Sequence, residues 1–136
     1  MAHEISWMKP KRVLYVNYQG YQTTETITAC LDEMVAEMDT VDEPIVVLIN
    51  WTEVTGTELK ALFNVRGHPA YSHPMATRGI LVGMPNQAKF ENEVTAIKTR
   101  ESKNTQYYET MEAALRYLQP FLDGEGADYS SSAETE

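Results

Sequence analysis

Residues Ile45-Val46-Val47-Leu48-Ile49 form an unbroken apolar run in which four of five side chains are β-branched. A strand with no polar face must be covered on both sides, which points to a central strand of a sheet sandwiched between helices. The flanking segments supply helical patterns. Upstream, from Thr24 to Asp39, Ile27, Leu31, Met34, Val35 and Met38 recur at the spacing of one helical face. Thr23 or Thr24 is placed to cap that helix, with Glu25 near the positive end of its dipole. Downstream, Thr55-Gly56-Thr57-Glu58 matches a capping box, in which the threonine caps a short second helix and the glutamate reaches back. Leu59, Leu62 and Phe63 provide a buried stripe for that helix, and Gly67-His68-Pro69 ends it.

Strand patterns occupy the remaining gaps. Ile5 to Met8 and Val13 to Tyr18 are rich in β-branched and aromatic residues, are broken by Lys9-Pro10-Lys11, and close at Gly20, the signature of a hairpin. Ala70 to Thr77 reads as a loop between Pro69 and Pro74, and Gly79 to Gly83 as a short buried strand. Phe90, Val94 and Ile97 mark a third helix and Tyr107-Tyr108 a last strand. Met111, Ala114, Leu115 and Leu118 mark a closing helix from Thr110 to Leu122. The order β-β-α-β-α-β-α-β-α predicts one α/β domain over residues 1–122. Its central sheet is mainly parallel, with an antiparallel N-terminal edge strand and flanking helices. Five acidic residues and no basic one fall between Asp123 and Glu136, a composition expected of a disordered tail.

A net charge of −9 opposes a nucleic-acid footprint, which needs a basic stripe. No apolar run approaches the ~20 residues of a membrane span, and the first residues lack a signal-peptide pattern. With Cys30 as the single cysteine, a reducing, cytoplasmic setting is expected.

Candidate chemistry is sparse. His68 and His73, each followed by proline, stand five residues apart with no cysteine nearby, which is not a zinc spacing; no metal or cofactor is expected. Phosphate-binding loops, dinucleotide fingerprints and nucleophile elbows are absent from the sequence, so no enzyme is expected. Cys30 falls among core residues and reads as a small buried hydrophobe. Lys89, Lys98, Arg100 and Lys103 gather around the third helix, either as a solvated face or as a contact for an anionic partner. Trp7, Trp51 and eight tyrosines provide enough aromatic surface for an apolar groove or for an ordinary core.

The opening hairpin to Gly20, the Ile45 to Val54 strand carrying Trp51, Arg78-Gly79-Ile80-Leu81-Val82-Gly83 and the closing Glu112 to Leu118 follow one another in a familiar order. Over residues 3–122 that order resembles the SpoIIAA-like branch of the STAS superfamily, the sulfate transporter and anti-sigma factor antagonist domains. The resemblance implies a STAS-like fold and a non-enzymatic regulatory module acting through a signalling protein partner. In anti-sigma factor antagonists a phosphorylatable serine lies in an Asp-Ser-Ser-Gly phrase after the central strand. Here the junction reads Val54-Thr55-Gly56-Thr57-Glu58, leaving Thr57 or Thr55 as the acceptor that the resemblance implies. Trp51, Gly56, Glu58, His68 and His73 are the accompanying partner-surface or ligand candidates. The alternative expectation is a carrier or sensor of a lipid or another small apolar or anionic ligand. An uncovered hairpin edge also leaves room for a homodimer.

Overall fold

The computed structural model describes residues 2–85 and 105–123. The hairpin forms as β1 (His3–Lys9) and β2 (Val13–Gln22), antiparallel, with a register shift between Trp7 and Lys9. Pro10 and Lys11 make its turn, Lys11 adopting φ 60°, and Arg12 N–H donates to Lys9 O at 2.9 Å. Gly20 does not end β2. At φ +76° it accommodates a shift of register against the next strand, and pairing continues to Gln22.

Helix α1 (Thr24–Met38) starts as its pattern predicts. Thr23 Oγ1 accepts from Thr26 N–H and Thr26 Oγ1 accepts from Thr23 N–H, a reciprocal cap. The central strand β3 (Ile45–Thr57) runs eight residues past the apolar core of its pattern and absorbs the expected capping box. The following helix, α2, is only Ala61–Asn64, entered through Lys60 at φ 61° with no side-chain cap. Thr55 therefore caps nothing. Glu58 instead accepts the N–H of Thr24 at 2.7 Å and so serves the N-terminus of α1. Leu59, expected on the buried stripe, is 72% exposed, and Phe63 is half-buried beneath the Arg66 guanidinium, 4.1 Å from its ring centre.

A 3-10 turn, Pro69–Ser72, replaces part of the predicted loop, and β4 begins at Ala76 and runs to Val82. β5 (Thr105–Tyr108) and α3 (Met111–Leu122) complete the described chain. The predicted third helix and the tail beyond Asp123 lie outside the described residues.

One sheet orders the strands β1-β2-β3-β4-β5; β1 is the antiparallel edge and the other neighbours are parallel. The march from β2 to β4 never reverses, so right-handed crossovers place α1, α2 and the 3-10 turn on the same face. Period-two alternation then divides β3. Val47 and Trp51 join α1 in one core, while Val46 and Leu48 join Ile80, Val82, Ala114 and Leu118 beneath α3 in the other.

Gln22 stitches the strand ends to α1. Fully buried, it donates from Nε2 to Ala2 O (2.9 Å) and Gln19 O (2.8 Å) and accepts from Thr26 Oγ1 (2.9 Å). Gln22→Leu, close in shape, leaves these groups without their partner. It is expected to lower the unfolding free energy by about 2 kcal/mol, read as a reduced urea midpoint at unchanged m-value.

Candidate functional site

Beneath α1 the two layers do not close completely. A cleft of about 90 Å³, open along one side, lies between α1 and the middle of the sheet. Helix α1 contributes Leu31, Met34 and Met38, each one helical turn or so from the next. The sheet floor is Val47, Ile49 and Trp51 on β3 with Gly79 and Leu81 on β4, all on one face by alternation. Gly79 is what keeps the floor low: a Cβ placed there would meet only Thr105 Oγ1, at 3.7 Å. The outer wall is Leu62, Ala70 and Tyr71, carried by α2 and the 3-10 turn.

The 3-10 wall is held by both histidines of the sequence-predicted pair, whose ring nitrogens bond within the fold. His68 Nδ1 accepts Ala70 N–H at 3.0 Å, so Nε2 carries the proton and donates to Asp32 Oδ1 at 2.7 Å. His73 repeats the pattern, accepting Met75 N–H at 3.1 Å and donating to Asp39 Oδ1 at 2.8 Å. Asp32 on α1 and Asp39, its C-cap, lie two turns apart, matching two staples on one segment. No group of three or more His, Cys, Asp or Glu side chains converges among the described residues.

Polar residues at the cleft are few: Arg78, Thr105, and the aromatic Tyr18, Trp51 and Tyr71. Trp51 is 2% exposed, packs edge-on against Tyr18 with ring centres 4.9 Å apart, and its Nε1–H has no acceptor among the described residues. Burial pushes the Cys30 thiol up to about 12, even though a hydrogen bond with the Tyr18 hydroxyl pulls the other way. Burial likewise raises the phenols of Tyr18 and Tyr71. All three are protonated at neutral pH, so Cys30 is the inert thiol that its position in the sequence suggested. These groups ionise in the unfolded chain before they do so in the fold. Between about 9 and 12 for Cys30, the folded state binds more protons than the unfolded state, and stability falls as pH rises. Unfolding free energies from denaturant titration should be flat from pH 7 to 8.5, then decline with a limiting slope of about 1.4 kcal/mol per pH unit for each such group.

The remaining sequence candidates lie elsewhere. Thr55 is exposed and Thr57 half-buried at the end of β3, with Gly56 packed under the ring of Tyr21. Trp51 and the His68 to His73 segment meet at the cleft; Thr55, Gly56, Thr57 and Glu58 do not line it. Lys89, Lys98, Arg100 and Lys103 lie outside the described residues. Tyr18, Met34, Met38 and Gly79 were not singled out by the sequence as site residues. Their signal was face parity in strands and helix, legible only once the strand order is known.

No described helix is long and apolar enough to cross a membrane. No family model matches the chain, and no curated protein matches it. Among solved structures, the chain is similar to an uncharacterized protein of the DUF3478 family from Shewanella loihica PV-4, described as having a SpoIIAA-like fold. The match has 21% identity and a TM-score of 0.56 over 86% of this chain and 94% of that one. With its five-stranded mixed sheet, antiparallel first edge and flanking helices, the chain has the SpoIIAA-like fold.

Proposed function

We propose that this chain is a non-catalytic binding module whose cleft beneath α1 takes up a small apolar ligand. The observation that carries the reading is the wall itself: aliphatic, methionine and aromatic side chains make up most of the border of an open cleft, and the phenols of Tyr18 and Tyr71 among them are held neutral. Size narrows the ligand. An apolar cavity of about 150 Å³ encloses benzene, and drug-sized pockets run from about 300 Å³. A cleft of about 90 Å³ open on one side therefore suits one ring or a short chain, with the rest of the molecule projecting. That favours a small apolar molecule over an enclosed lipid. Calorimetric titration with toluene should give a Kd on the order of 0.1–1 mM with a negative heat-capacity change. Absence of heat at every temperature tested would sink the reading.

A second reading, regulation through a signalling protein, has its own support at the far end of β2 and β3. Tyr21, 57% exposed, and Leu59, 72% exposed, are apolar surface beside Thr55 and Thr57. A partner docking there would be released by Leu59→Glu, and phosphate on Thr55 or Thr57 would act by charge at the same place. Retention of a co-purifying partner by Leu59→Glu, at wild-type stoichiometry, would contradict it.

A further inference from the structure

We infer that the ligand of the cleft is uncharged and carries a hydrogen-bond acceptor, a carbonyl or ether oxygen, that receives the indole N–H of Trp51. The inference rests on the apolar-ligand reading above and adds the polar contact that orients the ligand. Trp51 forms part of the wall, is 2% exposed, and buries an Nε1–H with no acceptor among the described residues. An indole N–H can only donate, and buried donors are almost always paired, so an orphan on a residue that lines the cleft asks for an acceptor from outside.

Charge decides the rest. Arg78 contributes to the cleft, but alternation sends its side chain to the opposite face with Ile80 and Val82. There Nη1 donates to Tyr117 Oη at 3.1 Å. A carboxylate in the cleft would meet neutral phenols and apolar walls and would be buried at high cost. A neutral acceptor meets no such penalty. Tyr18 packs edge-on against Trp51 at one part of the cleft, and Gly79 leaves the floor low at another.

Acetophenone and α-methylstyrene test this, because they share a shape and differ by a carbonyl oxygen in place of a methylene. Both are expected to bind wild-type protein. Trp51→Phe should weaken acetophenone about 5- to 10-fold relative to α-methylstyrene, the loss expected for one neutral hydrogen bond. An unchanged ratio overturns the acceptor contact while leaving the apolar-ligand reading intact; binding of neither compound overturns both. The wild-type protein supplies a measurement that needs no variant. Acetophenone should move the Trp51 indole proton downfield in a nitrogen-proton spectrum, and α-methylstyrene should not; equal shifts overturn the inference.

Discussion

Leu48→Ala is expected to cost about 3–4 kcal/mol of folding free energy and to leave ligand affinity unchanged. Leu48 is fully buried on the α3 face of β3 among Val13, Val46, Ile80, Val82, Ala114 and Leu118. Truncation there removes transfer free energy and leaves a cavity that the sheet on one side and α3 on the other cannot easily fill, which places it within the range for buried leucines. Against a total stability of about 5–15 kcal/mol, this is a large fraction. It should appear as a proportionate drop in denaturant midpoint at unchanged m-value. The cleft lies on the other side of the sheet, so molecules that remain folded should bind toluene as wild type does. A loss below 1.5 kcal/mol would mean that the α3 face is not the closed core described.

Gly79→Leu should do the reverse. The position has ordinary backbone geometry, and its first added atom meets only the Thr105 hydroxyl at 3.7 Å. The rest of the leucine side chain projects into the cleft floor between Leu81 and Thr105, where the ligand would sit. Folding stability is expected to hold or rise, since lost glycine freedom and added apolar burial both favour the folded state. Toluene affinity should fall by at least about 30-fold. Together the two substitutions separate the closed face from the open one, which no single substitution can do.

Local chemistry made most of the architecture legible. The Ile45 to Ile49 run demanded cover on both faces, and α1 shows the capping, length and buried face that its pattern implies. The errors share a cause. Thr55-Gly56-Thr57-Glu58 satisfies a capping-box pattern, yet β2 extends past Gly20 and pairs with β3 as far as Thr57. Strand pairing between residues some 35 positions apart overrode a local signal of about 1 kcal/mol. Glu58 then found a helix N-terminus after all, that of α1, through a contact no short window contains. His68 and His73 were visible as a pair, but their partners Asp32 and Asp39 belong to a helix and its C-cap on the other side of β3 in sequence. The cleft was least legible, because it exists only where the parities of two strands and one helix coincide.

Methionine methyl groups report on both faces at once. Met34, Met38 and Met84 line the cleft, whereas Met8 on β1 and Met111 on α3 pack against the core on the opposite face. With methyl-labelled methionine and saturating acetophenone, the central claim predicts shifts confined to the first three resonances and a Gly79→Leu spectrum that does not respond. Shifts centred on Met8 and Met111, or a response that survives Gly79→Leu, would contradict it.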